Sequence, residues 1–455
     1  MADLRAQAQI NLIREGLDGV GVYPENWRDH GNEVQYMYRE GSILVRDGDE
    51  ERVTTGLRGL LAGDGQGTAK RGRARVREVS PEIERTAVIE GLVRLSFSTP
   101  GRDAPTTPQV LETLDQEVGR GVARPDHVLH LSAHACPATE PEEVPPGTKE
   151  PFPAPTTEAC SGCGKHCRCE RVGRGAGVFV SIVDTGLVPD SVRAHTWLTG
   201  VEGDVEDPYL ARPRIASYGG HGTFVAGCLR CTAPEASVYV DGAQLSAGAT
   251  YEADIVPELA QALERSPDIV VFTLATSTRL ELSLLGFDAL YESSIRHRKG
   301  LAFVVPADND GTRELRWPAA YRWTVSVGAL SANWRARAHF SNHGGWVDVY
   351  APGEGLVNAF VEGEFECIEA PNTGVVRHYD GMARWSGTSF STPLVAGMIA
   401  ARMSATGENA HRAAKALLRM AREQAIPGVG PVLFPDQAGC QGAGSSKRRR
   451  RPRRP

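Results

Sequence analysis

Long apolar runs are missing from this 455-residue chain. No segment approaches the roughly 20 consecutive apolar residues that span a bilayer, which excludes a helical membrane protein. A secretory leader is not expected either: MADLRAQAQINLIREGLDG sets Asp3, Arg5, Arg14 and Glu15 where a leader needs a continuous apolar region. The expected location is therefore the cytoplasm, where the nine cysteines should be reduced or metal-bound. No internal repeat is present. What the chain does have is 41% hydrophobic and 23% charged residues, the balance of a soluble globular protein, and a length that predicts two or three domains. Its formal net charge of -6 conceals an asymmetry. Lys447, Arg448, Arg449, Arg450, Arg451, Arg453 and Arg454 crowd the C-terminal end and leave an acidic body.

Apolar patterning divides the chain into four parts. Residues 1–135 read as a small α+β domain, with GSILVRD, VIEGLVRLSFS and DHVLHLS as strands and EERVTTGLRGLL and TPQVLETLDQEVG as helices. Residues 136–175 turn to Pro, Glu, Thr and Gly, as in CPATEPEEVPPGTKEPFPAPTTEAC. Such a stretch has too little apolar surface to order itself and is expected to be a linker. Residues 176–434 carry the short apolar runs VFVSIVD, SVYVDG, DIVVFTL, LAFVVPA, WTVSVGAL and WVDVYAPG, with candidate helices HGTFVAGCLRC, DIVPELAQALER, FDALYESSIRHRK and SFSTPLVAGMIAARM among them. Strands that are apolar throughout are buried on both faces, as in a parallel sheet covered by helices. The expected fold class is thus α/β, a doubly wound and mostly parallel sheet, behind the small α+β N-terminal domain. Residues 435–455 are expected to be a disordered Arg-rich tail.

Three short segments place a reactive side chain at a strand end or a helix start. VSIVDTG sets Asp184 after a buried strand and before the turn at Gly186; GGHGTFVAG opens a helix on His221; GTSFSTPLVAG puts Ser389 at a helix N-terminus. In this order they resemble the Asp, His and Ser boxes of the subtilases, the subtilisin-like serine peptidases, over roughly Gly177 to Met403. The resemblance implies a serine endopeptidase. A serine hydroxyl becomes a competent nucleophile when an imidazole takes its proton, so His221 would serve Ser389. Asp184 would hold the other ring N–H and stabilise the imidazolium. The family's side-chain oxyanion donor comes from a loop resembling VVPADNDG, here Asn309, with the Ser389 backbone N–H as the second donor. Its substrate-pairing segment is similar to TLAT, which assigns Thr273, Leu274 and Ala275 to substrate binding, with Ala275 where the family has glycine.

Two departures from the family pattern bear on function. Phe224 replaces a second histidine of the His box, which is no triad member. Asp308 replaces a glycine in the oxyanion loop, which in the family lines the pocket for the residue before the cut. Two readings stay open: an acidic pocket preferring Lys or Arg substrates, or a carboxylate turned to solvent.

The N-terminal domain resembles the propeptides of many subtilases, implying a folding aid and inhibitor cut off in the linker; a permanent accessory domain is the alternative. Cys160, Cys163, Cys167 and Cys169 form C-x2-C-x3-C-x-C, a set that could bind zinc, respond to redox state or stay reduced. Cys228 and Cys231, three apart on a helix, read as small buried residues. The tail could attract phosphates by charge, yet without interleaved aromatics a nucleic-acid partner is not expected. No organic cofactor is required, and calcium is implied by the resemblance alone, with no carboxylate cluster to name its ligands. The expected partners are protein or peptide substrates, with the N-terminal domain as inhibitor and no membrane. The rival reading is an inactive subtilase-fold module that binds or regulates proteins.

Overall fold

The computed structural model describes residues 2–30, 33–62, 82–98, 105–131, 140–155 and 173–435. In the larger body, seven parallel strands lie in the order Val349–Pro352, Val325–Leu330, Ala302–Pro306, Ile269–Phe272, Phe179–Asp184, Ser237–Gly242, Val201–Gly203. Successive side chains of a strand point to opposite faces, so an all-apolar strand feeds two cores at once. Val180, Ile182, Ile269 and Val271 enter the core shared with helices His221–Thr232 and Thr388–Thr406. Val183, Val270 and Phe272 enter the opposite core, with helices Glu252–Glu264 and Leu285–Ser293. The expected strands and helices of the body are thus present, and the doubly wound α/β class holds. A further helix, Ala410–Glu423, was not anticipated; it opens on Asn409, whose side chain accepts the Arg412 N–H.

The N-terminal layer is an antiparallel sheet of Val20–Tyr23, Tyr36–Arg46, Glu82–Ile89, Leu92–Ser98 and Ala123–His130. VIEGLVRLSFS, expected as one strand, is a hairpin arm: Gly91 at φ 83° turns the chain between two strands. Ile43, Val45, Val93 and Leu95 face the domain's own helices Glu50–Ala62 and Thr107–Glu117. Leu44 and Leu92, one residue out of phase, pack instead on Ala253, Leu285 and Ala289 of the body. The sheet is completed by a strand of the body, Ala249–Tyr251, paired antiparallel with Val128–His130.

Within the expected linker, the described stretch is ordered. Residues 140–155 lie against the body: Glu142 and Arg384 exchange backbone hydrogen bonds, as do Phe152 and Val357. A Glu140 carboxylate oxygen accepts the Ile368 and Glu369 N–H groups. Composition argued that this stretch could not bury enough of itself; it borrows order from an existing strand edge instead. The Cys160–Cys169 cluster, Cys136, Cys440 and the Arg-rich tail lie outside the described residues.

Candidate active site

Asp184 ends the interior strand Phe179–Asp184 and is fully buried. Its Oδ1 accepts the Thr185 N–H at 2.7 Å and lies 2.8 Å from His221 Nδ1; its Oδ2 lies 2.9 Å from the same nitrogen and accepts the Thr273 hydroxyl. A carboxylate can only accept, so Nδ1 carries the hydrogen here and the proton-accepting nitrogen of the ring is Nε2.

Backbone shape makes this meeting possible. Gly220 precedes the helix at φ 80°, a conformation open to glycine, and a side chain there would strike Val361. At Gly222 a Cβ would sit 2.3 Å from the Gly186 carbonyl, so the Asp and His segments approach as closely as they do because neither has a side chain at that contact. Sequence reading missed the residue that ties them, Glu206. Its carboxyl accepts the Gly220 N–H at 2.8 Å and the Thr185 hydroxyl at 3.0 Å, while the Thr185 oxygen accepts the Gly222 N–H. Burial pushes the Glu206 carboxyl up to about 8 against those donors, and the neighbouring Asp184 charge adds to the rise. No motif marks Glu206; it stands in a polar loop whose partner turn is 14 residues away.

Ser389 is the second residue of helix Thr388–Thr406, where the first backbone N–H groups have no partner within the helix. Phe390, next to it, packs its ring 5.2 Å from the His221 imidazole, and Trp385 meets the same imidazole edge-on at 5.4 Å. Phe224, which stands in place of a histidine, fills the space beneath at 4.6 Å from Phe390 and 5.7 Å from Trp385. Asn309 joins the group from the other side. Its Oδ1 accepts both the Thr388 N–H at 2.9 Å and the Thr388 hydroxyl at 3.0 Å. The accepting atom must be the oxygen, which turns the NH2 of the amide away from Thr388.

Thr273, Leu274 and Ala275 separate into different tasks. Thr273 touches Asp184, Leu274 is buried in the core, and Ala275 exchanges both backbone hydrogen bonds with His130 of the N-terminal domain, at 2.9 and 3.1 Å. Asp308 is held inside the protein, against the solvent-facing expectation. It is 2% exposed, its Oδ1 accepts the Asn309 N–H, and its Oδ2 lies 3.3 Å from Arg316 Nε. It is not turned to solvent, and an internal cation already sits against it. Cys228 and Cys231 are buried as expected, with burial raising both thiols and Asn358 donating to both sulfurs. Among the described residues no group of three or more His, Cys, Asp or Glu side chains is placed to hold a metal ion.

A strand-end carboxylate on an imidazole, a helix-start serine and an anchored amide resemble the site of one class of protein, the subtilisin-like serine endopeptidases. The chain belongs to that class: the model of the subtilase family matches residues 175–442. The intracellular serine protease of Paenibacillus polymyxa is 29% identical over 245 residues, half of this chain and 67% of that protein. The major intracellular serine protease of Bacillus subtilis (strain 168) is likewise 29% identical, over half of this chain and 68% of its own length. Fervidolysin from Fervidobacterium pennivorans, a keratinolytic enzyme related to subtilisin, superposes with a TM-score of 0.55 at 16% identity, covering 88% of this chain and 61% of that one. That likeness is one of fold, and it reaches beyond the body into the N-terminal layer. No helix of the described residues is long and apolar enough to cross a membrane.

Proposed function

We propose that this chain hydrolyses peptide bonds through an acyl-enzyme on Ser389, and that its N-terminal domain holds it latent. His221 takes the Ser389 proton during attack on the scissile carbonyl and returns it to the leaving amine. Asp184 fixes the ring tautomer and offsets the imidazolium charge. The carbonyl oxygen, now an oxyanion, is met by the Asn309 amide and the Ser389 backbone N–H. Water then releases the acyl group by the same sequence in reverse. The observation that carries the reading is the double contact of Asp184 with His221, with Asn309 bound to the residue before Ser389.

Latency is supported by what occupies the substrate edge. Val128–Leu131 runs as a strand between Gly248–Tyr251, to which the Leu131 N–H donates at Gly248, and Ala275. Backbone pairing of this kind is how an extended substrate would dock, and the N-terminal domain has taken the place. Release then requires a cut on the C-terminal side of Leu131. A serine-directed fluorophosphonate probe with intact-mass analysis tests both parts. Wild type should label and shorten, whereas Ser389→Ala should do neither and lose about 10⁶-fold in turnover. Failure of wild type to label in any form removes the peptidase reading; labelling of a chain that never shortens removes latency by cleavage.

A further inference from the structure

Arg316 is a guanidinium with 2% exposure, buried beside the candidate oxyanion loop and used by no step above. Its neighbours fix what it can do. Nε lies 3.3 Å from Asp308 Oδ2 and donates to Asp310 Oδ2 at 3.1 Å; Nη2 is 3.0 Å from the same Asp310 oxygen; Nη1 reaches the exposed Glu314 at 3.4 Å. The two buried carboxylates thus flank Asn309 in sequence and grip one cation between them. Asn342 holds the loop rigid, its Oδ1 accepting the Asp310 and Thr312 N–H groups.

The register of the substrate edge shows which part of a substrate meets this cluster. His130 stands opposite Ala275 in an antiparallel pair, so a chain continuing past it runs back along Leu274 to Thr273. Thr273 touches Asp184, which means that the residue two beyond the one opposite Ala275 arrives at the level of the triad. That is the residue before the cut. Its carbonyl must reach Asn309, so its side chain falls between the Ala275–Thr276 strand and the Ala307–Asn309 loop. Arg316 crosses that gap. Trp317, its neighbour, exchanges both backbone hydrogen bonds with Thr276 at 2.9 Å, while the guanidinium reaches across to Asp308.

We propose that Arg316, clamped by Asp308 and Asp310, fills the specificity pocket and restricts cleavage to small uncharged residues before the cut. This rests on the peptidase reading given above and deepens it. A large apolar side chain finds the volume taken. A lysine or arginine meets a resident guanidinium instead of a vacant carboxylate, and an acid meets two carboxylates for one cation, so charge of either sign is rejected. Glycine, alanine and serine remain.

The test profiles a fluorogenic peptide library with the full chain after it has processed itself, with rates expressed per fluorophosphonate-labelled site. Wild type should cut after Gly, Ala or Ser with kcat/KM at least about 100-fold above peptides carrying Lys, Arg, Phe or Glu at that position. In Arg316→Gly the substrate's own cation can sit between Asp308 and Asp310, so preference should swing to Lys and Arg by a similar factor. Should that variant leave two buried carboxylates unable to fold, the combination Asp308→Asn, Asp310→Asn, Arg316→Gly carries the test, and it should accept Phe and Leu but not Lys. A wild type that cuts after basic or aromatic residues as readily as after alanine overturns the proposal, as does an unchanged profile in every labelled variant. Absence of labelling in wild type would strike the peptidase reading instead, which keeps the two failures apart.

Discussion

The parallel sheet of the body and the seam that joins it to the N-terminal layer are both buried, yet they are built from different chemistry. Inside the body, strand faces are Val, Ile and Phe against helices, and such contacts respond little to pH or salt. Along the seam, beside the apolar cluster of Leu44 and Leu92 on the body, stand charged and titratable groups. Arg39 pairs with Asp126 and Asp254, Arg94 with Asp254, Arg124 with Asp288, and Arg279 with Asp115. His127 and Glu252, both fully buried, face each other at 3.3 Å. These ion pairs are mostly part-exposed, with Asp254 48% exposed, so each contributes little net stability beside apolar packing. The body is thus held mainly by apolar packing, and the seam adds ionic and titratable contacts to its apolar ones.

The contrast can be broken first in the body. Phe224→Ala empties the space beneath Phe390, Trp385 and the His221 ring, and should cost about 3–5 kcal/mol in chemical denaturation. Turnover per folded molecule should fall with it; a variant of near-native stability would mean the aromatic cluster is not what supports the site. Asn309→Ala should lower kcat about 10²–10³-fold and, by leaving the buried Thr388 N–H and hydroxyl without their acceptor, cost about 1–3 kcal/mol in denaturation. Unchanged kcat would remove Asn309 from the oxyanion role.

The seam offers the smaller and more conditional effect. Burial pushes the Asp126 carboxyl up to about 7, against the pull of Arg39, and the Glu252 carboxyl up to about 8; burial holds the His127 imidazole down to about 3. An acid whose value is raised in the docked state favours docking while protonated, and that contribution is lost as pH climbs toward the raised value. A base held down works against docking as pH falls below its ordinary value of about 6.5. Above pH 6.5 only the carboxylates act, so docking should weaken between pH 6.5 and 8. Hydrogen exchange of the Val128–Leu131 amides, corrected for intrinsic rate, should speed by about tenfold or more across that window in Ser389→Ala. The Ile269–Phe272 amides should hardly change, and equal behaviour of the two strands would erase the contrast.

Legibility in the sequence followed the same division. Six of the seven parallel strands were readable because each is a continuous apolar run, whereas Val201–Gly203 carries no such run; the Asp184, His221 and Ser389 segments were readable because each holds its reactive residue within two positions of a glycine. The hairpin at Gly91 and the helix Ala410–Glu423 were missed, the first because a single glycine marks the turn. Residues 140–155 were misjudged because their order comes from the edge at Val357 and Arg384, which local composition cannot reveal.

The sequence by itself determined the class of fold, the identity of the three candidate triad residues and the presence of a separate N-terminal layer, since periodicity and motif order are local properties. Tertiary structure alone decided that Glu206 ties the Asp and His segments, that Ala249–Tyr251 completes the other domain's sheet, and that Asp308 is already answered by Arg316. Each of those depends on which distant side chain the fold delivers to a buried charge or an open strand edge, and a pattern read along the chain carries no record of that partner.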